Sequence, residues 1–230
     1  MSTDAITWDA AGERGLRISL TQAPSAATTA QLLALRDALT ERFGSAIEDT
    51  VLAYQSLTVF WPSTAALREP LKHWLAGYTC TEAPQAIAQE HIIHLPVWYA
   101  VESGPDLERV ARRNNLAIAE LIALHTGREY RAYANGFAPG FCYLGEVDPR
   151  IAYPRHATPR KAVPSGSVGI ADTQTAVYPR SSPGGWQLIG RCPSRLFDLN
   201  AKPPTRINVG DTVMFEAIDK HRFLELGGSI

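Results

Sequence analysis

The chain has 230 residues, a length that suits one large domain or two small ones. Its formal net charge is −1, so it lacks the basic excess with which proteins neutralise a nucleic-acid backbone. Residues 1–6 lack the charged and apolar regions of a signal peptide, and no stretch reaches the about 18 apolar residues of a membrane helix. Cys80, Cys142 and Cys192 are odd in number and far apart, which predicts neither a disulfide framework nor a zinc site and favours a reducing cytoplasm.

The first hundred residues alternate between strand and helix patterns. Alternating apolar residues predict strands at 16–20 and 91–97, and an aromatic and β-branched run predicts one strand over 51–60. Leucine spacings of three and four predict a helix over 28–43, and a second helix is predicted over 64–77. This order is typical of a small α/β domain with an open sheet.

Two short helices are predicted next, at 105–114 and 118–125. After them the composition of the sequence changes. From residue 129 onward glycine and proline are dense and short apolar stretches alternate with turn signals, which predicts a closed barrel or a sandwich. Pro84 and its polar neighbours suit a linker. The sequence therefore predicts an α+β protein with an N-terminal α/β domain, 1–90, and a C-terminal β-barrel domain, 91–230.

Common cofactor motifs are absent from the sequence. It has no Gly-rich phosphate loop, so ATP chemistry would require a partner, and no His-Glu-x-x-His, EF-hand or paired-cysteine metal motif. His91 and His94 would point to opposite faces of their predicted strand. Lys161 and Lys202 do not have the Met-Lys-Met context of a biotin attachment site. We expect neither a metal site nor a biotin site in this chain.

The richest stretch for a functional site runs from Gly136 to Asp198. Its aromatic residues could line a cleft, and its arginines could bind a carboxylate through their bidentate forks. Equally, its glycines and prolines could simply build barrel turns while the aromatics fill the core. The sequence leaves both alternatives open for Phe137, Phe141, Tyr143, Tyr178 and Trp186, and for Arg155, Arg160, Gln174, Gln187 and Arg191.

This stretch closely resembles the signature of the 5-oxoprolinase B-subunit family, which also holds histidine-kinase inhibitors and allophanate-hydrolase subunit 1 proteins. The match covers residues 136–145, 154–171, 174–179 and 182–191 in order and at close spacing. It extends more weakly upstream, where residues 54–57 are the best anchor. Departures include Cys142 and His156, where the family usually has proline and arginine. Another is Ala117, where serine or threonine commonly caps the helix that is predicted here at 118–125.

The resemblance implies a cyclophilin-like barrel in the C-terminal domain and a role as the B subunit of an ATP-dependent 5-oxoprolinase. With the A and C subunits, such a protein opens the 5-oxoproline lactam to L-glutamate, and it is expected to be inactive alone. No catalytic proton-transfer residue is identified. The residues expected at the substrate are Arg155 and Arg160 for anionic groups, Ser167, Gln174 and Gln187 for hydrogen bonds, and Phe141, Tyr143, Tyr178 and Trp186 for the walls.

Two alternatives from other functional classes remain open under this resemblance. The barrel groove could bind a sensor histidine kinase and inhibit it, without catalysis. The chain could also be a component of a urea- or allophanate-type carboxyltransferase-hydrolase.

Overall fold

The computed structural model describes residues 6–79 and 92–230. The chain separates into two compact units, Met1–Gln89 and Glu90–Ile230. The predicted domain boundary lies outside the described residues, as do Cys80 and His91. The domain division therefore stays a prediction.

The first unit contains an open four-stranded sheet in which neighbouring strands are antiparallel. Its strands are β1 (Ile6–Ala10), β2 (Gly15–Leu20), β3 (Asp49–Ala53) and β4 (Ser56–Phe60). The order across the sheet is β1-β2-β4-β3. Leu16 and Ile18 of β2 are fully buried, as the alternating pattern predicted.

A hairpin replaces the single strand that was predicted over residues 51–60, and that prediction was wrong. Leu52 and Leu57 pair across the hairpin, and both are buried. Because they are five positions apart, they would face opposite sides of one continuous strand. The two-residue turn at Tyr54 and Gln55 brings both leucines to the same face.

Two helices accompany this sheet, α1 (Ala26–Phe43) and α2 (Arg68–Gly77). The hydroxyl of Ser25 caps α1 by accepting a hydrogen bond from the Thr28 backbone N–H at 3.1 Å. Helix α2 begins four residues later than predicted, and Pro70 falls in its first turn, where proline removes no helical hydrogen bond.

The second unit is built around a closed seven-stranded barrel, which confirms the predicted α+β fold with a C-terminal barrel. The barrel strands are β5 (Ile92–Trp98), β6 (Glu129–Asn135), β7 (Cys142–Gly145), β9 (Ser167–Ala171), β10 (Gln174–Val177), β12 (Gln187–Arg191) and β13 (Thr212–Ile218). Their order is β10-β7-β6-β13-β5-β12-β9, and β9 pairs with β10 to close it. A separate ribbon pairs β8 (Arg160–Val163) with β11 (Ser182–Gly184).

Three helices pack on the barrel: α3 (Leu107–Arg113) against β12, α4 (Ile118–Thr126) against β13 and α5 (Lys220–Glu225) against β5. The barrel interior is a single apolar cluster that includes Leu95, Tyr130, Val168, Ile189 and Phe215. Within the described ranges, no helix has the length and apolar character needed to cross a membrane.

Candidate functional site

Five aromatic rings gather beside the barrel strands in a second cluster. Phe141 stands at its centre, with ring centroids 5.0 Å from Tyr143, 5.4 Å from Tyr178 and 5.6 Å from Trp186. Phe137, at the tip of the β6–β7 hairpin, lies 5.1 Å from Phe141 and is 59% exposed. All four contacts with Phe141 are edge-to-face, the arrangement that ring quadrupoles favour.

These rings line a cleft of about 140 Å³. Pockets for drug-sized ligands have volumes of about 300–1,000 Å³, so a cleft of this size suits a small molecule. Its lining consists of Phe137, Phe141, Tyr143, Arg155, Ala171, Asp172, Gln174, Tyr178, Gly184 and Trp186.

The structure brings together most of the residues that the sequence predicted at the substrate. Six of them line this cleft: Phe141, Tyr143, Arg155, Gln174, Tyr178 and Trp186. Arg160, Ser167 and Gln187 are not among its lining residues. Their predicted contacts with substrate stay predictions, and each has a structural environment of its own.

Arg160 forms an ion pair with Asp106, a residue that the sequence did not predict at the site. The Arg160 Nη2 atom lies 2.8 Å from both carboxylate oxygens of Asp106, which is 4% exposed. The same carboxylate accepts the Leu188 backbone N–H at 2.7 Å. Burial raises the pKa of Asp106, but the hydrogen bonds from Arg160, Leu188 and His156 outweigh it and hold the pKa below its ordinary value.

Ser167 and Gln187 are fully buried strand residues. The Gln187 Nε2 donates to the Pro154 carbonyl at 2.7 Å, while the Gln187 Oε1 and the Ser167 Oγ have no hydrogen-bond partner. Gln187 therefore anchors the backbone immediately before Arg155. On the other side of Arg155, the His156 N–H donates to the Gly185 carbonyl at 2.7 Å.

The Tyr178 phenol closes one wall of the cleft beside Gly184. A Cβ built on Gly184 would overlap the Tyr178 hydroxyl and lie 2.8 Å from its ring carbon Cε1, so this wall requires glycine. Burial raises the pKa of Tyr178 above its ordinary value. The phenol is therefore protonated at neutral pH.

Asp172, Gly184 and Ala171 line the cleft although the sequence did not predict them there, and Phe137, one of the aromatic residues for which the sequence left a cleft position open, lines it as well. Asp172 has a φ of 53°, in the left-handed region that aspartate and asparagine tolerate better than most residues. An aspartate two positions before the strand of Gln174 was the available sequence signal. That Asp172 and Arg155 line the same cleft depends on the barrel and is not evident from their spacing in the sequence.

The described residues offer little for a metal or a thiol nucleophile. No group of three His, Cys, Asp or Glu side chains able to hold a metal ion occurs among them. Cys142 and Cys192 are free and buried, and burial raises the pKa of each thiol, which keeps the thiol protonated.

A family model described as carboxyltransferase domain, subdomain C and D, matches residues 6–207. The chain belongs to this family. It is 43% identical over 194 residues to the B subunit of 5-oxoprolinase from Bacillus subtilis (strain 168), covering 77% of this chain and 79% of that protein. It is 42% identical over 169 residues to the same subunit from Haemophilus influenzae, covering 74% of this chain and 78% of that protein. The resemblance to the 5-oxoprolinase B-subunit family, inferred from the sequence, is confirmed.

Solved structures of other proteins have the same fold. The crystal structure of the protein TTHA0988 superposes with a TM-score of 0.77 at 34% identity, covering 90% of this chain. The chain spans 40% of that longer protein. Kluyveromyces lactis urea carboxylase superposes with a TM-score of 0.71 at 16% identity over 96% of this chain and 22% of its own length, and at that identity the likeness concerns the fold.

Proposed function

We propose that this chain is the B subunit of an ATP-dependent 5-oxoprolinase, acting in the cytoplasm with the A and C subunits to open the 5-oxoproline lactam to L-glutamate. The names of its curated relatives support the subunit assignment. The observation that carries the proposal is the small aromatic cleft with Arg155 in its lining.

The cleft matches the chemistry of a small cyclic amide that carries one carboxylate. An arginine fork binds a carboxylate through two parallel hydrogen bonds, and the flat ring of a lactam can lie against aromatic faces. Arg155 is exposed and has no ion-pair partner within the described part of the chain, so its guanidinium is available to a ligand.

ATP is assigned to the other subunits in this proposal. The sequence has no Gly-rich phosphate loop of its own. A lactam is a poor electrophile, and phosphorylation of its amide oxygen would make ring opening feasible. The cleft residues of this chain bind and orient the small ring and shield it from water.

The test is 5-oxoproline-dependent ADP release by this chain assembled with the A and C subunits, with each subunit omitted in turn. We expect activity only when all three are present. Arg155→Gln should raise the KM for 5-oxoproline by about tenfold to a hundredfold through the loss of a charge-assisted contact. Arg180→Gln, an exposed arginine that does not line the cleft, is the control and should leave KM unchanged.

An assembled, folded complex that releases no ADP with 5-oxoproline would overturn the proposal. The same complex would then be assayed for carboxyl transfer to urea, and this chain alone for inhibition of a sensor histidine kinase. These are the two alternatives that the family resemblance leaves open.

A further inference from the structure

The aromatic cleft carries two opposite charges in its lining, Arg155 and Asp172. Both side chains are exposed. Neither forms an ion pair with the other or, in the described ranges 6–79 and 92–230, with a different residue. Two opposite charges without an ion-pair partner on one small cleft suit a ligand that presents a negative group to one and a hydrogen-bond donor to the other.

Backbone hydrogen bonds hold together the two segments that carry these charges. The Asp172 N–H donates to the Tyr153 carbonyl at 2.7 Å, and the Tyr153 N–H donates to the Asp172 carbonyl at 3.2 Å. Tyr153 is two residues before Arg155 in the chain, so this pair of hydrogen bonds ties both charged residues to one short segment. Gln187 holds the same segment through the Pro154 carbonyl.

The left-handed backbone of Asp172 is a second sign of a defined position. Its φ of 53° is uncommon outside glycine and is stable here because the Tyr153 hydrogen bonds and the adjoining strands hold it. The Tyr153 side chain is itself held, since its hydroxyl accepts a hydrogen bond from the Arg109 Nε at 3.1 Å. The Asp172 backbone is therefore held in a defined conformation.

We propose that Asp172 is a specificity-determining residue that accepts the ring N–H of the lactam while Arg155 binds the substrate carboxylate. This inference rests on the proposed function and deepens it. An ionised carboxylate can only accept hydrogen bonds, so it stabilises a ring N–H and repels a ring oxygen. A site built this way distinguishes a lactam from the lactone of the same shape, because the wrong ring atom leaves the carboxylate unpaired.

The experiment measures inhibition of 5-oxoproline-dependent ADP release by the assembled three-subunit complex. One inhibitor is the γ-lactone that replaces the ring N–H of 5-oxoproline by oxygen and keeps the carboxylate. The other is 2-pyrrolidinone, which keeps the N–H and lacks the carboxylate. For the unaltered complex we expect the lactone inhibition constant to exceed the KM for 5-oxoproline by about tenfold to a hundredfold, the effect of one lost charge-assisted hydrogen bond.

Asp172→Asn should collapse the discrimination between lactam and lactone to about threefold or less, because a carboxamide can donate to a ring oxygen as well as accept from a ring N–H. Asparagine also tolerates the left-handed backbone conformation at this position. Glycine tolerates it too, and Asp172→Gly removes the carboxylate altogether. Both variants should keep the preference for 5-oxoproline over 2-pyrrolidinone, which Arg155→Gln should abolish. Glu102→Gln removes an exposed carboxylate away from the cleft and should change neither ratio.

Unchanged lactam-to-lactone discrimination in both Asp172 variants, with 5-oxoproline still consumed, would overturn the role of Asp172 and leave the proposed function intact. An unaltered complex that never consumes 5-oxoproline would overturn both. A merely structural role for Asp172 would weaken all ligands alike and leave the ratio unmoved, which also counts against the inference.

Discussion

His125 is a fully buried histidine at the centre of a hydrogen-bonded chain. The Thr175 hydroxyl donates to the Gly169 carbonyl at 3.0 Å, so it accepts from the His125 Nε2–H at 2.9 Å. The Tyr99 hydroxyl then donates to the Nδ1 atom at 2.7 Å. This network assigns the neutral Nε2–H tautomer, and burial lowers the pKa of His125 from 6.5 to about 3.

His125 should make the stability of the second unit depend on pH. Its folded pKa of about 3 lies below the ordinary value of 6.5, so the unfolded chain binds more protons between these values. The stabilisation is complete above pH 6.5 and is lost as pH falls, by roughly 1.4 kcal/mol per pH unit. Urea unfolding between pH 7 and 5 measures it, and His125→Gln should flatten the dependence. Equal slopes in both proteins would assign the effect elsewhere.

Two adjacent glycines on the cleft side of the barrel should respond differently to a methyl group. Gly184→Ala places a Cβ against the Tyr178 phenol, which is 1% exposed and has no room to move away. We expect a loss of about 1 to 3 kcal/mol in unfolding free energy, the range for overpacking a core. Gly185→Ala is the matched control, because its nearest contact would be an ordinary 3.5 Å from the His156 carbonyl oxygen. Similar losses in the two variants, measured by urea unfolding, would contradict the steric explanation.

Helix α4 begins with half of a capping box. The Ala117 backbone N–H donates to the Glu120 carboxylate at 2.7 Å, but the Ala117 side chain has no oxygen to return the interaction to the helix. Ala117→Ser should supply it and raise the unfolding free energy by about 1 kcal/mol. Ala119→Ser, at an exposed position inside the same helix, should give no gain. Chemical unfolding of both variants decides between a capping effect and a general effect of serine.

The sequence was most informative where local patterns and packing agree. Helix α1 and strand β2 follow their apolar periodicity, and the glycine- and proline-rich second half forms the predicted closed barrel. The β3–β4 hairpin was missed because Tyr54 and Gln55 carry no turn signal such as Asn-Gly. The odd spacing of Leu52 and Leu57 was the usable clue, since both belong to the same buried face.

The site was harder to predict because the fold determines which charged side chains come close enough to form ion pairs. Arg160 looked like an anion-binding residue, yet its partner in the structure is Asp106, 54 positions earlier in the chain. Arg155 is also an arginine of the same motif and remains available in the cleft. No local sequence pattern distinguishes these two arginines. They differ because the fold places Asp106, the residue before helix α3, against Arg160.

Each of the two compact units has its own buried apolar residues. We therefore expect residues 91–230 to fold without the first unit. The isolated polypeptide should unfold cooperatively in urea and show a near-ultraviolet circular dichroism signal from Trp98 and Trp186, which are buried in the intact chain. Gradual unfolding without that signal would contradict the proposed domain division.

Strand β13 completes the barrel from the far end of the chain, since it lies between β5 and β6 and pairs with β5 in parallel from Ile92 with Thr212 to Trp98 with Ile218. The two paired strands are 120 residues apart in sequence, so closing this contact costs more chain entropy than closing a local hairpin. During synthesis on the ribosome, β5 and β6 emerge long before the strand that joins them. A nascent chain paused before residue 212 thus exposes two strand edges to neighbouring polypeptides, and only its own last strand covers both.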